Sequence, residues 1–293
     1  MCRFVCYKGA PVLLKDLIFN TSHSLIDQSK YAKKRNEPVN GDGFGIGWYP
    51  DFQGEFYDPE PGVFKSIEPA WNNRNLLNIA SKIRSRMFFA HIRDASADLP
   101  VSQPNCHPFQ YGKYLWMHNG WLCEFEQMRR ITLKHLSDKA FSGIQGNTDS
   151  EHAFALFLDE IKFDQEADDQ TILDALFKVI DKIHYFRIKK NIMSNAEMNF
   201  AVTNGESMFI TRFSTIIKCQ PASLFYAQGV LEKDEHEMTE IVSNSTSSEK
   251  VVVVASEPLS HCEANWQKVE RNFCLHIDKN GEVKSIKMPS VVG

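Results

Sequence analysis

The sequence predicts an α+β fold built in layers. Two observations carry that reading: the predicted strands fall into an early and a late group, and most of the predicted helices lie between them. A third, that no internal repeat divides the chain, points to one domain spanning 1–293. Composition agrees, with 43% hydrophobic and 24% charged residues, as in ordinary globular domains.

Residues 3–7 alternate as a strand, which puts Cys2 at a strand start. Residues 15–29 read as a helix. In the 41–49 segment glycines alternate with larger residues, a strand pattern whose glycines admit close backbone approach. The glycine spacing does not fit a P-loop. Leu76, Ile79, Ala80, Ile83 and Met87 follow helical spacing, and 88–92 reads as a buried strand. Tyr114 to Met117 predicts a strand ending in a His118-Asn119-Gly120 turn. Helices follow over 124–136, 149–162 and 170–187, the second opening on helix-start residues Thr148-Asp149-Ser150-Glu151. Strands are predicted at 198–203, 207–212, 223–228, 250–256, 272–277 and 283–287. The acidic, then serine-rich stretch 232–249 reads as an exposed loop within the domain.

The bulk numbers exclude several classes. With 33 basic and 37 acidic residues the net charge is −4, which gives no electrostatic case for nucleic acid or an anionic membrane. No apolar run approaches the roughly 20 residues of a membrane helix. The N-terminus lacks a signal-peptide pattern, so the expected location is the cytosol. Seven cysteines, an odd number without C-x-x-C spacing, argue against a disulfide framework and a structural zinc site. No metal or cofactor is expected.

Chemistry points to Cys2. Cysteine is small, so removal of Met1 is expected, leaving a thiol and a free α-amine on one residue. A nucleophile carrying its own base is a catalytic device. The amine titrates near pH 7.7–8 and the thiol at about 8.5, so proton transfer between them costs little. Asn119 and Gly120 could aim a side-chain amide and a backbone N–H at one oxyanion, or simply form an Asn-Gly turn. Arg93, at the end of a buried strand, suits a carboxylate or a structural ion pair. Asp149 could receive an ammonium or cap a helix. Taken together these groups describe a site for a γ-glutamyl moiety, an amino acid at one end and an amide at the other.

On these residues the chain resembles the class II glutamine amidotransferase domain of the N-terminal nucleophile hydrolase superfamily. The matching pieces, in the family's order, are Met1-Cys2, Gly41-Asp42-Gly43-Phe44-Gly45, His91-Ile92-Arg93-Asp94-Ala95-Ser96, Asn105-Cys106-His107-Pro108, His118-Asn119-Gly120 and Thr148-Asp149-Ser150-Glu151. Met-Cys-Arg-Phe at the start, the segments at 40–45, 69–73, 146–151 and 153–159, and Val-Ala-Ser-Glu-Pro-Leu at 254–259 are similar to the stand-alone subgroup. That subgroup comprises YafJ-like proteins and the fungal Dug-type subunit of glutathione degradation. The resemblance implies a four-layer αββα sandwich. It makes Cys2 the nucleophile, Asn119 and Gly120 the oxyanion hole, Arg93 the carboxylate ligand and Asp149 the ammonium ligand. Ser96 stands where many members have Thr and would assist at the carboxylate. Asp94 stands where others often have Trp, which alters the packing over a bound substrate.

The implied activity is cleavage of a γ-glutamyl amide, in glutathione, a related compound or glutamine, through a γ-glutamyl thioester. A glutaminase subunit feeding ammonia to a separate synthase, a non-catalytic γ-glutamyl-binding subunit, and an acylase for another amide are the alternatives. The resemblance also implies a small-molecule γ-glutamyl substrate and allows a hetero-complex with a peptidase-related or synthase subunit.

Overall fold

The structure, a computed structural model, describes residues 2–31, 39–51, 58–95, 100–216, 218–243, 250–260 and 263–289. The first elements are β1 (Arg3–Leu13), α1 (Leu14–Ile18), α2 (Leu25–Lys30), β2 (Phe44–Trp48), β3 (Gly62–Ser66), α3 (Arg74–Ala80) and β4 (Arg84–Ile92). Then come β5 (Phe109–Tyr111), β6 (Tyr114–Leu122) and four helices, α4 (Phe125–Lys134), α5 (Asp138–Gly143), α6 (Asp149–Glu160) and α7 (Asp169–Lys189). The last part is β7 (Ala196–Thr203), β8 (Met208–Arg212), β9 (Phe225–Lys233), β10 (Thr239–Val242), β11 (Val251–Ala255), β12 (Gln267–Lys268), β13 (Phe273–Ile277) and β14 (Val283–Lys287).

The strands form two antiparallel sheets. One runs β10-β9-β11-β1-β4-β2-β3, with β12 also on β9; the other runs β14-β13-β8-β7-β6-β5. Side-chain alternation along each strand divides the core into three layers. Val5, Tyr7, Phe88 and Ala90 pack against α1, α2 and α3. Trp116, Phe200 and Phe209 pack against α4, α6 and α7. Between the sheets lie Phe4, Cys6, Phe89, Leu115, Met117 and Ile210. The result is the αββα sandwich.

Several local expectations change. The predicted 15–29 helix is two short helices, because Ser24 and Asp27 form a reciprocal cap that starts α2 afresh. The helical spacing through Met87 ends early: α3 stops at Ala80, and Arg84–Ile92 pairs with both β1 and β2. The expected loop at 232–249 is partly a hairpin. Its first residues extend β9, and β10 returns with Thr239 and Ile241 buried, an alternation too short to stand out among acidic neighbours. Residues 244–249 lie outside the described residues, as do Met1 and Ser96. Strands β3 and β5 and helix α5 carry no strong periodic signal and were not expected from the sequence.

The His118-Asn119-Gly120 turn does not exist. These residues continue β6, with Asn119 opposite Asn199 and Gly120 opposite Met198. An Asn-Gly pair turns a chain only where the flanks must reverse, and here Trp121 and Leu122 go on pairing with Glu197 and Ala196.

Candidate active site

Alternation along three strands sends Cys2, Arg93 and Asn119 into the same layer. Cys2 shares its side of β1 with Phe4 and Cys6, and Arg93 extends the β4 row of Met87, Phe89 and His91. Asn119 extends the β6 row of Leu115 and Met117. All therefore lie toward the inter-sheet layer, at the end of the sandwich where β1 begins and β4 ends.

Cys2 is half-buried, and its Sγ meets the loop leaving β4: the Asp94 N–H lies 3.4 Å away and the Asp94 carbonyl 3.7 Å. Both contacts are made by backbone, so the Trp-to-Asp difference at position 94 does not touch them. Burial pushes the thiol above its ordinary value. The positive chain terminus, the Asp94 N–H and Arg93 pull it back, and the Asp94 charge pushes the same way as burial.

Arg93 is 3% exposed. Its guanidinium reaches only backbone carbonyls, Pro100 at 3.4 Å and Asp42 at 3.5 Å. Among the described residues no carboxylate lies within ion-pairing distance of it. A buried, unpaired guanidinium is costly, and its planar fork fits both oxygens of a carboxylate. The backbone around it is fixed. Arg93 N–H donates to Gly43 O at 2.8 Å, and Ala95 N–H donates to Asp42 Oδ2 at 2.8 Å. Gly43 has φ of +105°, and a Cβ there would stand 2.8 Å from Cys106 Sγ, so the loop before β2 requires glycine.

Asn119 is fully buried, and its Nδ2 donates to Ser256 Oγ at 3.1 Å. Ser256 Oγ also accepts from the Phe4 N–H at 3.0 Å, two residues beyond Cys2. Asn119 Oδ1 has no partner among the described residues. Turning the amide over lets the Ser256 hydroxyl donate to Oδ1 and leaves both Nδ2 protons for a ligand. At Gly120 a Cβ would collide with Glu197 O and lie 2.6 Å from His118 Nε2, so no larger residue fits the strand there.

Asp149 begins α6. Its Oδ2 accepts from Leu122 N–H at 2.9 Å and its Oδ1 from Ser150 N–H at 2.7 Å. The N-cap itself is Thr148, whose hydroxyl accepts from Glu151 N–H. The carboxylate thus stands two residues from Gly120 at a helix start, which leaves both a positioning and a ligand role open.

Behind these groups lie three buried histidines. The His91 and His107 rings are 4.1 Å apart, and His91 Nε2 lies 3.2 Å from His118 O. His118 Nδ1 lies 2.8 Å from Ser150 Oγ. Burial lowers all three, His91 to about 3, so the cluster is neutral at physiological pH. Sequence reasoning gave these histidines no role, nor Ser256 and Asp42. Their motifs were visible in the resemblance, but nothing in one sequence says which side chain a buried serine or aspartate will hold.

The family model of class II glutamine amidotransferases matches residues 16–292. The chain belongs to the class II glutamine amidotransferases. It is 37% identical to the probable glutamine amidotransferase DUG3 of Saccharomyces cerevisiae, over 95% of this chain and 82% of that one. It is 35% identical to the γ-glutamyl-hercynylcysteine sulfoxide hydrolase of Mycolicibacterium smegmatis, over 41% of this chain and 51% of that one. A class II domain protein from Silicibacter pomeroyi superposes with a TM-score of 0.64 at 22% identity, covering 98% of this chain and 99% of that one. The Bacillus subtilis glutamine phosphoribosylpyrophosphate amidotransferase gives 0.57 at 15% identity, covering 98% of this chain and 49% of that one. These two likenesses show the fold, that of the N-terminal nucleophile hydrolases. The chain is therefore an enzyme of the class II glutamine amidotransferase type. Among the described residues no helix is long and apolar enough to cross a membrane.

Proposed function

We propose that this enzyme hydrolyses a γ-glutamyl amide bond, in glutathione or a related γ-glutamyl compound, through a thioester on Cys2. The observation that carries the reading is the buried Arg93 fork, which has no carboxylate partner among the described residues and lies one residue before the backbone that touches the Cys2 thiol. The relatives' names, a probable glutamine amidotransferase and a γ-glutamyl hydrolase, support the same bond class.

In this mechanism Met1 is removed, and the Cys2 α-amine takes the thiol proton. The thiolate sulfur attacks the γ-carbonyl carbon, and the resulting oxyanion is met by Asn119 Nδ2 and the Gly120 N–H. The amine returns the proton to the leaving nitrogen, the C–N bond breaks, and a γ-glutamyl thioester remains. Water then attacks the same carbon, giving its proton to the α-amine. The C–S bond breaks, and glutamate and the free thiol are restored. Arg93, assisted by Ser96, holds the α-carboxylate, and Asp149 holds the α-ammonium.

The test is glutamate release from glutathione and from glutamine by Met1-processed protein, alone and with any subunit that copurifies. Release from glutathione supports the reading. Release from neither overturns it. Release from glutamine alone favours the second reading, a glutaminase serving a separate synthase, which the amidotransferase family itself supports. A hetero-complex with a peptidase-related subunit belongs to the first reading and a synthase complex to the second. The cytosolic location of either is part of the proposal.

A further inference from the structure

The topology gives Cys2 two flanks. In the first sheet β4 and β2 lie on one side of β1, and they carry Arg93 and the Asp42–Gly43 loop. On the other side lie β11, β9 and β12. There a cavity of about 300 Å³ opens, lined by Arg3, Gln220, Ser223 and Lys268, by Arg212 from β8 of the other sheet, and by the backbone between Gln220 and Ser223.

Two short hydrogen-bonded routes join the lining of this cavity to the reaction centre. Arg3 follows the nucleophile in sequence, and its Nη1 donates to Cys2 O at 2.9 Å. Ser223 Oγ donates to Ser256 O at 2.8 Å, and Ser256 Oγ holds Asn119. Among the described residues every lining side chain with a polar group can donate a hydrogen bond, three are cationic, and no carboxylate lines the cavity. Glu257 neutralises Arg3 at 2.8 Å. Glu197 and Glu270 stand near Arg212, with Glu197 accepting the Ala222 N–H, and neither lines the cavity. Arg212 itself is 3% exposed and donates only to the carbonyls of Ala222, Val269 and Pro221. Its positive charge therefore faces the cavity without an ion-pair partner among the described residues.

Ammonia, the leaving group of glutamine, needs no such chamber. A leaving peptide that ends in a carboxylate offers an anion that such a chamber can hold. We infer that the Arg3–Arg212–Lys268 cavity binds the anionic leaving portion of the substrate, so that the enzyme selects γ-glutamyl peptides with a free C-terminal carboxylate over glutamine. The inference rests on the γ-glutamyl hydrolase reading and deepens it by naming the residues that would select the leaving group. The size fits: a cavity near 300 Å³ is at the lower end for a small-molecule site and suits a dipeptide-sized group.

The test compares three substrates, glutathione, its C-terminal primary amide and glutamine, on the processed protein with any copurifying subunit. Charge-assisted hydrogen bonds to the carboxylate predict that the amide lowers kcat/KM by about tenfold to a hundredfold. Lys268 is exposed on a two-residue edge strand, so Lys268→Glu leaves the fold intact and reverses one charge. It is expected to lower the ratio of glutathione to glutamine turnover by roughly tenfold. Glutathione amide hydrolysed as fast as glutathione, or Lys268→Glu slowing both donors equally, overturns the leaving-group site while the hydrolase reading stands. No glutamate from glutathione overturns the hydrolase reading, and the leaving-group site with it.

Discussion

Arg93 and Arg212 stand at the same end of the sandwich, each at the terminus of a strand, each 3% exposed, each bonded only to carbonyl oxygens. They differ in how firmly they are held. Arg212 makes three contacts of 3.1–3.2 Å to Ala222, Val269 and Pro221 and so ties β8 to the segments on either side. Arg93 makes only contacts of 3.4–3.5 Å. A guanidinium saturated by good bonds is a fixed source of field. One with long, poor bonds keeps its directional donors for a ligand. The difference suits Arg93 to recognition by hydrogen bonding, as proposed, and Arg212 to structure and charge.

The comparison can be broken from several directions. Loss of the nucleophile between the two flanks is the largest effect: Cys2→Ala is expected to lower glutamate release by at least about 10⁴-fold, with Tm unchanged. Retained turnover moves the reaction away from this end of the sandwich. Asn119→Ala is expected to lower kcat by about 10²- to 10³-fold with little change in KM, since it removes a donor to charge that develops only during reaction. Arg93→Lys and Arg212→Lys separate the two arginines. The first is expected to raise KM for glutathione and glutamine by roughly tenfold or more and leave Tm in place, through loss of the bidentate fork. The second is expected to lower Tm by several °C, because three buried carbonyls lose their donor. The reverse pattern would exchange their roles.

The smallest expected effect concerns acid. His91, His107 and His118 are neutral in the fold because burial lowers them, His91 from 6.5 to about 3. In the unfolded chain each takes a proton near pH 6.5, so protonation favours unfolding. The stability they contribute is full above pH 6.5 and is lost as pH falls toward 3. Tm measured across that window is expected to fall by a few °C per pH unit. Replacing His107, whose ring nitrogens have no partner among the described residues, with Phe should flatten the slope.

Much of the layout of this candidate site was legible in the sequence. Strand alternation placed Cys2 at a strand start and Arg93 at a strand end, and the ordered motifs joined them to Asn119, Gly120 and Asp149. The error at His118-Asn119-Gly120 shows where such reading stops. Asn-Gly carries a local turn preference, while the β6–β7 ladder is set by residues about 80 positions apart in the chain. The Arg3–Arg212–Lys268 cavity was invisible for the same reason. Arg3, Arg212 and Lys268 share no local pattern; the order of strands around β1 and the stacking of β8 from the other sheet bring them together. Ser96, expected beside Arg93, lies outside the described residues.

The proposed chemistry requires above all a Cys2 thiol that acylates with its own amine free. Treatment with 6-diazo-5-oxo-L-norleucine, followed by intact mass and peptide mapping, tests both conditions at once. The expected result is one adduct, on Cys2, in a chain that starts at Cys2. An adduct on another cysteine, or a Cys2-initiated chain that stays unmodified, contradicts the assignment.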